Sequence, residues 1–153
     1  MSKAFRSEDA IASSEGKAFV TIGGRNYDLF FAKKIEAKIT KNKEDVKAIG
    51  KRSVGSKATS WKGSGTLTVH AVTSLFKQMF VDYANGGLDQ FFSLQVTNED
   101  PSTSYGRETK ILTGCNFDEI DIAALDSDDN FLELELPFTF DGVELLEKFK
   151  DNL

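Results

Sequence analysis

The stretch Leu132–Phe140 constrains this chain more than any other: Leu132, Leu134, Leu136, Phe138 and Phe140 alternate with Glu133, Glu135, Pro137 and Thr139. Successive side chains of a strand point to opposite faces, so a period of two demands one apolar face and one wetted face, which a helix cannot provide. The same period recurs where Ile35, Ala37 and Ile39 alternate with Lys34, Glu36, Lys38 and Thr40, and again where Leu67, Val69 and Ala71 alternate with Thr66, Thr68 and His70. Pro137 has no N–H to give a ladder, which predicts that the last strand lies at an edge or carries a bulge.

Further strands follow from the same reasoning. Two apolar runs, near 17–22 and 26–31, flank Gly23-Gly24, a pair suited to the positive φ angles of a tight hairpin turn. A third strand covers about 32–41 and a fourth 65–72. Residues 89–97 place Phe92, Leu94 and Val96 on one face and Phe91, Ser93 and Gln95 on the other. In Arg107–Phe117 the alternation puts Thr109, Ile111, Thr113, Cys115 and Phe117 on one side. Between them, NEDPSTSYG reads as a turn.

One helix is expected over TSLFKQMFVDYANGG, with Thr73 or Ser74 at its N-cap and Gly86 at its end. Leu75, Phe76, Met79, Phe80 and Tyr83 recur at three- and four-residue spacing and form one apolar stripe, which reads as core. The closing GVELLEKFKDNL is a short amphipathic segment, read as a helical turn or two. Short strands with alternating faces and one helix indicate a mainly β fold, an antiparallel sandwich or barrel with the helix packed across it.

The organising feature is the connection Lys41–Lys62. It is far longer than the ~2–5 residues usual in a hairpin loop, so it is expected to project from the body. Val46, Ala48 and Ile49 suit a brief strand, whereas from Gly50 to Gly65 glycine and serine are too frequent for a regular element. Seven lysines and arginines (Lys41, Lys43, Lys47, Lys51, Arg52, Lys57, Lys62) stand there against Glu44 and Asp45. The segment from Asp118 to Asp151 reverses the balance, with twelve acidic residues against Lys148 and Lys150. Such polarity favours head-to-tail contact between copies, and a contact between two different surfaces builds a closed ring or an open filament. Trp61 admits two readings, a fold back onto its own domain or the buried centre of an interface.

At 153 residues the chain is read as a single domain over 16–153, with residues 1–15 as a flexible arm and the projecting loop at 41–62. A net charge of −5 and a pI near 5.0 argue against a protein that grips duplex nucleic acid through its phosphates. The N-terminal MSKAFRSEDAIASSEG lacks the apolar core of a secretory signal and no window resembles a membrane span, so a soluble cytoplasmic product with no membrane partner is expected.

Motifs that resemble chemistry lose their chemistry on inspection. Gly50–Lys57 approaches the phosphate-cradling G-x-x-x-x-G-K-[ST], but its last two residue types are transposed and no helix pattern follows. Asp126-Ser-Asp128-Asp129-Asn130 resembles the start of a calcium loop, yet Phe131 and Pro137 stand where Gly and Glu are needed, so an acidic turn explains it better. His70 is the single histidine and alternates with threonines on a polar face. Cys115, the single cysteine, reads as a small buried hydrophobe. Glu133 and Glu135 read as a wet face. No catalytic, cofactor or metal residues are assigned, and the chain is not read as an enzyme. A small hydrolytic or nucleotide-using enzyme would need catalytic groups contributed across subunit boundaries.

Beyond these patterns, EAKITKNKEDVKAIGKR, GSGTLTVHAVTSLFKQMFVDY, DQFFSLQV, GRETKILTGCNFDEIDIAALD and LPFTFDGVELLEKF resemble tail tube proteins of contractile phage tails in Gram-positive bacteria, among them those of PBSX-type defective prophages and the related R-type bacteriocins. The similarity runs from about Gly16 to Phe149, nearly the whole chain. It implies a small β-barrel or sandwich with one helix, assembled as stacked homohexameric rings inside a sheath. The implied partners are further copies of the chain, the tail sheath protein, baseplate or initiator proteins and the tape-measure protein. DNA would pass through the lumen without specific binding. The place implied is the host bacterial cytoplasm during assembly, then the virion or bacteriocin tail. A related reading is a type VI-like secretion tube that carries effectors.

On this resemblance the loop residues Lys47, Lys51, Arg52, Lys57 and Trp61 are expected to bridge rings, and Asp126, Asp128 and Asp129 to form the acidic counter-surface. Glu36, Lys38, Thr66 and Thr68 are expected to face the lumen.

Overall fold

The structure, a computed structural model, describes residues 16–99, 106–123, 125, 127 and 132–149. The expected arm 1–15 and the acidic residues Asp126, Asp128 and Asp129 lie outside the described residues. Among the described residues there are eight strands and one helix: β1 Gly16–Ile22, β2 Arg25–Asp28, β3 Ala32–Val46, β4 Gly55–His70, α1 Leu75–Ala84, β5 Phe92–Glu99, β6 Arg107–Phe117, β7 Glu133–Phe140 and β8 Gly142–Glu147. Every pairing is antiparallel, in the order β2-β1-β5-β6-β7-β4-β3, with β8 on β6.

The expected sandwich is present. Leu67, Val69, Leu134, Leu136, Phe138 and Phe140 from β4 and β7 share one buried cluster with Val20, Phe92, Leu94, Leu112, Cys115 and Phe117 from β1, β5 and β6. Phe92 and Phe138 meet between the layers with ring centroids 6.4 Å apart. The strand path has two ends, β2 and β3, which no ladder joins, so the described residues form an open sheet folded into two layers and not a closed barrel.

Local chemistry explains the elements. Gly23 and Gly24 have φ of +58° and +81°, the left-handed pair that a two-residue turn between right-twisted strands requires. At the helix N-terminus Leu75 N–H donates to Thr73 Oγ1 at 3.2 Å, while the Ser74 side chain makes no capping bond. At the other end Gly86 turns left-handed at φ +94°, and Gly87 N–H donates to Asp82 O at 2.8 Å. Phe76 is fully buried, edge-on to Phe117 at 5.3 Å. The apolar stripe is only partly core, because the helix outruns the sheet and leaves Tyr83 58% exposed.

Four expectations are corrected. The run Gly50–Gly65 is not irregular throughout, since β4 starts at Gly55 and pairs with β3 from Val46 inward. A two-stranded ribbon wetted on both faces needs no apolar alternation, and its ladder satisfies the backbone groups that glycine and serine leave unshielded. In β6 the buried side chains are Thr109, Leu112, Cys115 and Phe117, not Ile111 or Thr113. Gly114, at φ +65°, lies in a bulge that opposes Phe92 to Cys115 but Leu94 to Leu112, and the extra residue shifts the alternation.

Pro137 is neither at an edge nor on a bulge, because β7 lies between β4 and β6 and its register with β4 is continuous. Its carbonyl accepts from Asp118 N–H at 2.8 Å. An extended residue turns its nitrogen and carbonyl the same way, so the missing donor falls where β6 has already ended. The tail segment is not helical: Gly142–Glu147 forms β8 along Thr109–Thr113 of β6. Asp141 N–H donates to Thr113 O at 3.2 Å at the corner between β7 and β8. The available β6 edge outweighs the helical periodicity of so short a run.

Candidate functional site

Beyond Gly63, the outermost β4 residue that β7 reaches, β3 and β4 continue outward as a two-stranded ribbon. Its register places Lys41 opposite Trp61, Asn42 opposite Ser60, Lys43 opposite Ala58 and Glu44 opposite Lys57. Thr59 is the extra residue of a bulge pinned by two bonds, Thr59 Oγ1 to Asn42 O at 3.2 Å and Asn42 Nδ2 to Ser60 Oγ at 2.9 Å. At the far end Lys51 N–H donates to Ala48 O at 3.3 Å across a turn whose third residue, Gly50, has φ +86°.

Lys47, Lys51 and Arg52 are exposed at this tip, interleaved with three apolar side chains: Val46 and Val54 are half exposed and Ile49 is fully exposed. The tip is therefore cationic and apolar at once. Lys57 lies slightly inward, opposite Glu44. Trp61 belongs to the root, three register positions and about 10 Å inward of Lys57 at the ~3.3 Å rise per strand residue. It packs against Phe140 with centroids 6.2 Å apart while staying 43% exposed. Thus the tip lysines and arginine are brought together, and Trp61 stands apart from them.

The second group shares one surface. Glu36 is opposite Thr66, Lys38 opposite Ser64 and Lys34 opposite Thr68, on the face turned away from Leu67 and Val69. Lys34 Nζ lies 3.1 Å from Glu36 Oε1 along that face. Lys33, unpaired at a bulge in β3, reaches across to Glu133 Oε1 at 2.9 Å. This hydrogen bond, with the charges of Lys33 and His70, holds the Glu133 carboxyl below the usual range.

No group of three or more His, Cys, Asp or Glu that could hold a metal ion converges among the described residues. Gly50–Lys57 runs through a turn into a strand, with no helix N-terminus to hold a phosphate. The Cys115 thiol donates to Leu112 O at 3.4 Å in the core, and burial pushes its pKa up to about 12.

Sequence reasoning missed a groove of about 880 Å³ beside the C-terminal half of α1. Met79, Phe80 and Tyr83 line one wall, Ile120 and Ile122 the other, and Asp89, Asp118 and Glu119 edge it. Two signals pointed to it, a helical stripe longer than the sheet could cover and the alternation of acids with isoleucines in Glu119–Ile122.

A family model described as phage tail tube protein matches residues 3–147. The phage-like element PBSX protein XkdM of Bacillus subtilis (strain 168) is 37% identical over 149 residues, 97% of this chain and 99% of the relative. The fold is also that of a chain in the anti-feeding prophage baseplate, with a TM-score of 0.66 at 13% identity over 95% of this chain and 97% of the other. A chain in the PVC sheath-tube complex of an extracellular contractile injection system matches with a TM-score of 0.62 at 12% identity over 91% and 93%.

Proposed function

Because the chain belongs to the phage tail tube protein family, whose members are structural and not enzymes, we propose that it forms stacked homohexameric rings of the tube inside a contractile sheath. The observation that carries this reading is the exposed, basic β3–β4 ribbon, which among the described residues extends beyond every other strand it could pair with. A lone ribbon of this length gains little from its own domain, since two-stranded pairs are marginal in water. Contact with a neighbouring copy supplies the missing burial, with Lys47, Lys51, Arg52 and Lys57 directed at an acidic surface of the next ring.

The polar face that carries Glu36, Lys38, Thr66 and Thr68 suits the lumen. Its cations and carboxylate alternate, so a passing polyanion finds no continuous run of lysines to hold it. Sheath, baseplate or initiator and tape-measure proteins are the further partners, and the site of assembly is the host cytoplasm before incorporation into a tail. The type VI-like secretion tube has no observation here that favours it.

The test is polymerisation. Wild-type protein at high concentration should form hollow tubes by negative-stain microscopy, and the Lys51→Glu/Arg52→Glu variant should remain as single rings or smaller species. Tubes of normal length from that variant would remove the ribbon from the inter-ring contact. A cryo-EM map with Glu36 and Thr66 packed against the sheath would reject the lumen assignment.

A further inference from the structure

Within the tube reading, on which this inference rests, the partner surface for the ribbon tip can be named. We infer that the tip of one copy docks in the groove beside α1 of the next copy, Ile49 entering between Tyr83 and Ile122 while Lys51 and Arg52 meet Asp89, Asp118 and Glu119.

Three observations converge on it. The tip presents Ile49 fully exposed between half-exposed Val46 and Val54, an unusual load of apolar surface for a hairpin end wetted on all sides. The groove offers the complementary deficit, with Tyr83 58% and Ile122 53% exposed along an opening of about 880 Å³, within the ~300–1,000 Å³ typical of ligand-binding clefts. The rims match in charge, three exposed cations on the tip against three exposed carboxylates on the groove.

Placement makes the contact head-to-tail. The tip ends a β3 strand of 15 residues, roughly 45–50 Å long at the usual rise. Helix α1 begins five residues after β4 returns to the base at His70, and Phe76 meets Phe31, the residue before β3, at 6.4 Å. Phe117, which lines the groove, is opposite Phe138 of β7 and so lies level with Gly65 of β4, well inward of Gly55 where the tip begins. At the usual rise this separates tip and groove by about 30 Å along the ribbon, and a copy cannot satisfy itself. A heterologous contact of this kind propagates from ring to ring.

The experiment is disulfide trapping in assembled tubes. Ile49→Cys/Ile122→Cys should give a ladder of covalent multimers under mild oxidation, while each single variant, with Cys115 buried in the core, should stay monomeric on denaturing gels. Charge exchange gives an independent reading: Glu119→Lys should block tubes and Lys51→Glu in the same chain should restore them. If tubes form but the double-cysteine chain gives no ladder, or Glu119→Lys polymerises normally, the groove belongs to another occupant and the inference is overturned while the tube reading stands. If wild-type protein makes no tubes at all, the tube reading itself falls.

Discussion

Trp61 rests against Phe140 with ring centroids 6.2 Å apart and planes tilted by 50°, at the point where the β3–β4 ribbon leaves the three-stranded layer. Phe140 is buried and Trp61 is 43% exposed, so the pair is the last aromatic contact between the core and the projecting arm. Trp61→Ala should lower stability by about 1–2 kcal/mol, the scale of one partly wetted aromatic pair. Chemical denaturation of unassembled protein checks this, and Trp61→Phe should recover most of the loss.

Inward of that pair, Gly65 lies opposite Phe138 on the core face, and a Cβ at 65 would stand 2.7 Å from the Phe138 ring and overlap the Glu36 carbonyl. Gly63 is likewise filled by the Phe140 ring. Gly65→Ala should therefore cost about 1–3 kcal/mol, the usual penalty for overpacking a filled core. An unchanged melting temperature would show that β3 and β7 yield freely here.

The Lys33–Glu133 bond makes a pH-dependent contribution with a definite sign. Glu133 is held below the ordinary glutamate range by the Lys33 hydrogen bond and by Lys33 and His70 charge. A lowered folded-state value stabilises above the unfolded value, and the contribution is lost as pH falls through the folded one. Side-chain NMR titration should place Glu133 below an unperturbed glutamate, and Lys33→Ala should move it back up. Because the carboxylate is open to water, global stability should change little.

Cys115 should be silent in the native protein. Its thiol is buried and pushed up to about 12, so almost no thiolate exists at pH 8 to attack an alkylating reagent. Labelling by iodoacetamide should be absent from folded protein and complete in denaturant, and native labelling at the unfolded rate would show that the β5–β6 bulge opens.

Much of this architecture is legible in the chain because burial on one face leaves a period of two. Leu134, Leu136, Phe138 and Phe140 are buried in that order, as their spacing requires. Where burial stops, the signal stops: Lys57–Lys62 is strand, but both its faces are wet and no apolar rhythm marks it. At Gly114 one inserted residue moves the buried position from Ile111 to Leu112, and a bulge leaves no trace in hydropathy beyond the glycine itself. β8 owes its form to a distant β6 edge, information that its own six residues do not carry. The cations of the candidate site were readable as a cluster, whereas the groove beside α1 arises only when Ile120 and Ile122 are folded next to Tyr83.

Salt should separate the two components of the tip contact. If Lys51 and Arg52 attract carboxylates of the next copy across partly wetted ground, raising sodium chloride from 0.1 M to 1 M shortens the screening length from ~10 Å to ~3 Å and should slow tube growth. Ammonium sulfate screens charge too, but its exclusion from protein surface strengthens apolar burial, so the seating of Ile49 should persist and growth should recover. Light scattering during assembly measures both. The Ile49→Ser variant should lose the sulfate recovery and keep the chloride sensitivity, while Lys51→Gln/Arg52→Gln should do the reverse. Growth indifferent to chloride in wild-type protein would mean that the basic tip contributes no charge to the contact.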